Sequence, residues 1–214
     1  MSVAFGRSRV LKEMLVEWTV EERGLAGLSD LQGLPWSMSM EQFFEAWIET
    51  IMSQVVRRIG GTIRSGRKRE TLVPLNWDPP YLGSQKSLIP DLVIEHDDTT
   101  VIVDAKYKEH WEEMQQRHWA DLEEELRERH RADLLQVLAY STVARNPKVL
   151  VCLAYPCNEE RWLSLRARNR LVYRASLPVT ERRVDLVLAA FPLSTRIVAE
   201  AVNLMVEEIR RLAA

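Results

Sequence analysis

Residues 87–108, SLIPDLVIEHDDTTVIVDAKYK, hold two apolar runs separated by a few polar residues, and no other stretch constrains the fold as tightly. Short runs rich in Val and Ile and broken by Asp-Asp read as the two strands of a hairpin. A hairpin that only filled a core would have no use for Asp104 and Lys106 inside VIVDAKY, because burying charge without a partner is costly. Side chains alternate along a strand, so Asp104 and Lys106 share one face while Val103 and Ala105 share the other. Asp91 joins them only in some registers. A two-residue turn at Asp97-Asp98 sets Asp91 opposite Asp104, and one at Asp98-Thr99 sets it opposite Lys106. An unbulged three-residue turn sends Asp91 through to the other face.

Two carboxylates a few ångströms apart raise each other's pKa unless a cation lies between them. Such hard oxygen donors suit Mg²⁺, with Mn²⁺ as a substitute. Lys106 then stands where it can position or help activate an attacking water and offset charge developing on a phosphate. The same residues also read as a surface hairpin with an ordinary Asp/Lys cross-strand pair. If the carboxylates do repel, the nearly isosteric Asp104→Asn is expected to raise the melting temperature of the metal-free protein.

Around the hairpin, VLKEMLVEW puts Leu11, Met14, Leu15 and Trp18 at helical spacing, and Gly, Pro and Ser then punctuate the chain up to residue 39. Ser39 and Gln42 resemble a capping box, followed by an apolar stripe of Phe44, Trp47, Ile48, Ile51, Met52, Val55 and Ile59. Short extended stretches come next, GGTIRSG and ETLVPLNW among them, before a charged helix that runs into RADLLQVLAYSTVAR. KVLVCLAYP, RLVYRASLP and RVDLVLAAFP read as strands, and STRIVAEAVNLMVEEIRRLA as a closing helix. The order of helix, strands, helix, strands, helix predicts an α/β fold, a mixed central β-sheet flanked by helices on both sides.

With 46% hydrophobic and 28% charged residues, the composition fits one globular domain and argues against disorder, collagen or a repeat array. Its net charge of -2 gives no overall pull toward a polyanion, yet the charge is segregated. Arg64, Arg67, Lys68 and Arg69 form one basic cluster and Arg166, Arg168 and Arg170 another, which either steer a polyanion such as DNA by its phosphates or are simply solvated faces, whereas residues 109–128 are mostly acidic. His110, His118 and His130 fall in that charged region and read as solvated. Cys152 and Cys157 form no zinc pattern; Cys152 reads as strand core and Cys157 as a loop thiol in a reducing cytoplasm. No apolar run approaches the roughly 18 residues of a membrane span, and MSVAFGRSRVLKEML lacks the apolar core of a secretory signal, so a cytoplasmic protein without membrane contact is expected.

Pro90-Asp91, followed after a strand by Asp104-Ala105-Lys106, resembles the signature of the PD-(D/E)XK nuclease superfamily. FFEAW offers Glu45 on the preceding helix, as that superfamily often does, with Glu41 a competitor one turn earlier. LLQVLAY supplies Gln136 and Tyr140 in the Q-x-x-x-Y spacing of RecB-type nucleases, and a strand ending in AYP follows. In order and wording, LPWSMSMEQFFEAW, IPDLVI, IVDAKYK, DLLQVLAYS and VCLAYP are similar to the nuclease region of McrC, the cleavage subunit of methylation-dependent restriction systems. The resemblance spans roughly residues 34 to 193 and implies a restriction-endonuclease-like core over 36–214, preceded by an N-terminal helical segment, 1–35.

By that resemblance Asp91, Asp104 and the Ala105 carbonyl are the metal ligands, Lys106 is the catalytic lysine, and Glu45 is a further carboxylate. Gln136 and Tyr140 contact the DNA backbone or hold the lysine; without the motif they read as an exposed Gln and a core Tyr. The function implied is Mg²⁺-dependent DNA hydrolysis in restriction or defence, beside an NTPase subunit of McrB type and as a homodimer or larger assembly. A repair, recombination or transposition nuclease is the alternative within the same core, and a non-catalytic DNA-binding or scaffolding subunit the alternative outside catalysis. Two departures from the McrC pattern stand out: about 35 residues precede the match where a partner-docking region is expected, and a charged helical insertion falls at about 109–130.

Overall fold

The computed structural model describes residues 39–108, 123–178 and 182–213. The expected helix at 10–18, the whole 1–35 segment, most of the acidic stretch, His110 and His118 lie outside them. Helix α1 spans Met40–Ile59 and begins where Ser39 Oγ accepts from the Gln42 N–H at 3.4 Å. Its apolar stripe is buried from Phe43 to Val55, as the helical spacing predicts. Strand β1, Thr62–Ser65, then leads into a small two-stranded hairpin of β2, Val73–Pro74, and β3, Ser87–Leu88. Strands β4, Leu92–His96, and β5, Thr99–Ala105, follow, with a turn at Asp97-Asp98 and Asp97 at φ 49°.

Helix α2, Glu124–Ser141, precedes β6, Lys148–Cys157; helix α3, Glu159–Ala167, precedes β7, Val172–Pro178, and β8, Arg183–Pro192. A 3₁₀ turn, Thr195–Ile197, opens onto α4, Val198–Ala213. The main sheet has six strands in the order β1-β4-β5-β6-β8-β7. β5, β6 and β8 run parallel and the other pairs antiparallel, so the sheet is mixed. Helices cover both sides, as the order of elements predicts. α1 packs along α4 on one side, where the Phe44 ring sits 6.0 Å from Tyr107. α2 lies on the other, gripping Lys106 and Lys108, whose side chains alternate with Tyr107.

Two readings differ from the structure. Helix α3 is absent from the expected order; its one signal is Asn158, whose side chain accepts from the Arg161 N–H at 2.8 Å, followed by Glu159 and Glu160 in the first turn. Cys157 is the last residue of β6 and buried, because a ten-residue central strand keeps even its end under the neighbouring layers. Residues 124–130 are the first turns of the helix that carries Gln136, so the charged helix runs on into RADLLQVLAYS as the sequence suggests. Exposed pairs such as Arg131–Glu128 at 2.6 Å support those turns, where apolar periodicity is weak.

Candidate active site

The two-residue turn puts Leu92 opposite Val103, and the same register carried one step further brings Asp91 opposite Asp104. Of the two registers the sequence allows, this is the one that opposes the carboxylates. Asp91 lies just before β4 and is fastened there by backbone contacts. Its Oδ2 accepts from the Ala105 N–H at 2.7 Å, and its carbonyl accepts from the Gly66 N–H at 2.7 Å. Gly66 can approach so closely only without a side chain: a Cβ there would stand 2.5 Å from the Pro90 carbonyl oxygen. Thr71 Oγ1 donates to that same carbonyl at 2.6 Å.

Asp104 is buried, and Lys106 Nζ stands 2.6 Å from its Oδ2. This close ion pair supplies the partner that a buried carboxylate oxygen requires. Lys106 Nζ also donates to Gln136 Oε1 at 2.9 Å, and Gln136 Nε2 donates to Tyr140 Oη at 2.9 Å. Gln136 is thus exposed yet engaged with the lysine, and Tyr140 is buried beneath it. Both halves of the residue-by-residue reading hold, an exposed Gln and a core Tyr, and the pair also holds the lysine. On the α1 side, half-buried Glu45 feels the charge of Asp104, while Glu41 one turn earlier is exposed.

Beneath these residues lies a tier that sequence reading missed. Lys108 Nζ donates to both oxygens of buried Asp133, at 2.7 and 2.9 Å. His130, one turn before Asp133, is buried, a correction to its reading as a solvated residue: it lies on the inner face of α2, and burial depresses its pKa against the pull of Asp133. Tyr155 on β6 lies against the same carboxylate, and burial pushes its phenol up. The available signal was the spacing of Asp133 and Gln136, three residues apart on one helical face, opposite alternate lysines of one strand.

The basic residues divide. Arg64 is paired with Glu95 at 2.8 Å, and Glu49 draws Arg67 Nε to 3.2 Å and Lys68 Nζ to 3.5 Å. Arg69 is exposed at φ 60°. Arg166 lies over the Trp162 ring, 5.7 Å from its centroid, and Arg168 bonds to Ser164 at 2.9 Å. Arg166, Arg168 and Arg170 are exposed on α3 and just after it. Helix α3 starts at the carboxyl end of β6, the end of the sheet at which Ala105 pairs with Ala154 and the two aspartates meet.

Burial, with the charge of Asp104 added, pushes Asp91 up to about 7. Burial also raises Asp104, with Lys106 opposing it, and raises Glu45, with Arg67 opposing and Asp104 adding. Burial alone would depress Lys106, yet Asp104, with Asp133 and Asp91 behind it, outweighs it and holds the ammonium above its ordinary value. The site is therefore short of positive charge although a lysine already stands in it. Among the described residues no three His, Cys, Asp or Glu side chains form a closed cage. The donor set is instead two opposed carboxylates at a strand end, one of them paired with Lys106. That set fits a small divalent cation that keeps much of its water, as Mg²⁺ does, better than a structural zinc.

Among the described residues no helix is long and apolar enough to cross a membrane. No curated protein matches this chain. A family model described as McrBC 5-methylcytosine restriction system component matches residues 30–156, the segment that carries α1, both aspartates, Lys106, Gln136 and Tyr140. That match covers more than half of the 214 residues, and the chain belongs to the family of McrBC 5-methylcytosine restriction system components.

Proposed function

We propose that the chain is the DNA-cutting subunit of its restriction system, a metal-dependent endonuclease of the PD-(D/E)XK type that hydrolyses phosphodiester bonds. The observation that carries this reading is Asp91 opposite Asp104 with Lys106 Nζ 2.6 Å from Asp104. A scaffold has no need for clustered charge that raises its own carboxylates. Asp91, Asp104 and the carbonyl of Ala105 would hold Mg²⁺, or Mn²⁺ in its place. When bound, the ion would lower the pKa of a water and neutralise phosphate charge.

The residues of the chain supply the rest. Lys106, paired with Asp104, serves as a positive charge beside the reacting phosphate and is placed to position the attacking water. Gln136, fixed by Tyr140, gives the ammonium a second anchor beside Asp104. Glu45 adds negative charge at the rim and orients water from the α1 side. Arg69, with Arg166, Arg168 and Arg170 on the far side of the strand ends, steers DNA phosphates toward the site, and Arg64, Arg67 and Lys68 contribute less because each shares a carboxylate. Control by an NTPase subunit of McrB type fits the family, the chain works in the cytoplasm, and one site per chain calls for two copies to cut both strands.

Plasmid incubated with purified protein and Mg²⁺, against an EDTA control, tests the reading. Wild type should nick or linearise the plasmid, while Asp104→Ala and Lys106→Ala should remain folded and leave it intact. Cutting by either variant at the wild-type rate would discard the mechanism.

A further inference from the structure

Seven large apolar side chains are exposed among the described residues, and four of them, Trp77, Tyr81, Leu82 and Ile89, belong to the β2–β3 hairpin and its stem. Single exposed apolar residues need no explanation, but a group on one projection does. Trp77 is 45% exposed, Tyr81 58% and Leu82 84%, and these side chains are not loose. The Trp77 indole N–H donates to the Gln85 carbonyl at 2.8 Å, Gln85 Nε2 donates to the Ser87 carbonyl at 2.7 Å, and the Leu75 N–H donates to the Lys86 carbonyl at 2.8 Å. The Tyr81 ring meets Trp77 edge-on, with centroids 6.1 Å apart, and folds over Gly83, where a methyl group would stand 2.9 Å from the Tyr81 hydroxyl. The loop thus spends its own polar groups on presenting two rings to solvent in a fixed arrangement.

The projection is rooted in the site. The Thr71 hydroxyl closes its base on the Pro90 carbonyl at 2.6 Å, and Asp91 is the next residue. Basic side chains stand on the same segment: Lys68 and Arg69 before the hairpin and Lys86 within it are exposed, and Arg67 reaches close enough to lower Glu45. Two exposed aromatic rings flanked along the chain by cations, on a segment joined to Asp91, match a nucleic acid strand with accessible bases. Because the only hydrogen-bond donor of Trp77 is already used, its ring offers a face and not a base-reading contact. Stacking of that kind tolerates any base but requires one that is unstacked from its neighbours.

Resting on the nuclease reading above, we infer that the β2–β3 hairpin is a stacking platform that holds unpaired bases of DNA beside the Asp91/Asp104 centre. The preferred substrate is therefore DNA with a single-stranded or locally opened stretch.

Fluorescence anisotropy in EDTA, with labelled single-stranded, duplex and abasic single-stranded oligonucleotides, tests it. Trp77→Ala with Tyr81→Ala should weaken binding of the single strand about tenfold or more, by the usual worth of base stacking, and change duplex binding less than about twofold. The abasic strand should bind wild type no better than the normal strand binds the double variant. Trp77→Phe, which keeps a ring and loses only the Gln85 contact, should restore most of the affinity, separating stacking from loop collapse. Unchanged single-strand binding in the double variant, or equal losses on single strand and duplex, would overturn the platform. If wild type cuts plasmid and the double variant binds as wild type does, the platform alone fails; if wild type binds no form of DNA, the nuclease reading fails with it.

Discussion

Lys106 Nζ is held between two acceptors, Asp104 Oδ2 at 2.6 Å and Gln136 Oε1 at 2.9 Å, so a strand carboxylate and a helix amide together fix where the ammonium sits. Removing the amide should leave the ammonium anchored at one point only, free to swing about Asp104 and out of position for the phosphate. Gln136→Leu is expected to lower kcat by about 10- to 100-fold, the usual cost of misplacing a catalytic group by around an ångström, with DNA affinity little changed. Single-turnover cleavage beside a binding titration would separate the two quantities. Tyr140→Phe should show a weaker version of the same effect.

The raised Asp91 makes metal-free stability depend on pH. Its folded value of about 7 lies above the ordinary 3.8, so between those values the folded chain holds a proton that the unfolded chain has lost. Stability therefore falls as pH rises through that window, by up to about 1.4 kcal/mol per pH unit, and levels off above the folded value. Melts in EDTA across the window should show this slope in wild type and a smaller one in Asp91→Asn. Mg²⁺ should restore wild type most strongly at the alkaline end, where the site is fully ionised.

The repulsion between the aspartates is not shared evenly. Sequence alone assigns its relief to Asp104→Asn, but Asp104 is the carboxylate paired with Lys106, whereas for Asp91 that lysine is the weakest of the influences. Asp91→Asn keeps an oxygen for the Ala105 N–H and is expected to raise the metal-free melting temperature, by about 2–4 °C for each kcal/mol relieved. Asp104→Asn should raise it less or lower it. Both should abolish cleavage and lose the stabilisation by metal, which reaches about 2.7 kcal/mol at 100 times the dissociation constant in wild type. Four melts, two variants with EDTA and with Mg²⁺, check the assignment.

Phosphate contacts can be apportioned by salt. Each one lost should flatten the slope of log affinity against log salt on duplex DNA by about 0.9. Replacing Arg166, Arg168 and Arg170 together should therefore change the slope by roughly 2–3 units, and replacing Lys68 by less than one because Glu49 already shares its charge. Glu49→Gln should tighten binding. Titrations at several salt concentrations give these slopes.

What the sequence discloses depends on how local the cause is. The buried stripe of α1 follows from helical period, and the Asp91–Asp104 juxtaposition from strand alternation plus one turn length, both written in consecutive letters. The Lys108–Asp133 pair joins residues 25 apart on a strand and a helix, and only the packing of α2 on the sheet creates it. His130 escaped notice for the same reason: its neighbours in sequence are charged, while its neighbours in space are a carboxylate and the core. Helix α3 was hidden because its apolar contribution is brief, chiefly Trp162 and Leu165, and its other positions are polar. The neutralisation of Arg67 and Lys68 by Glu49 is likewise a matter of contact between elements, not of composition.

The single bond from the Thr71 hydroxyl to the Pro90 carbonyl has a bearing on how such chains can diversify. It fixes the distance between the two ends of everything from residue 72 to residue 89. Lengthening a loop whose ends are already held together costs little, about 0.6 kcal/mol for each doubling, and no added residue disturbs the register of the strand that follows. Insertions, deletions or wholesale exchange between those points can therefore be absorbed while Asp91 stays where it is. The turn at Asp97-Asp98 has no such freedom, since one extra residue there would move Asp91 out of the site. Selection for new targets has a place to act at one end of β4, and none at the other.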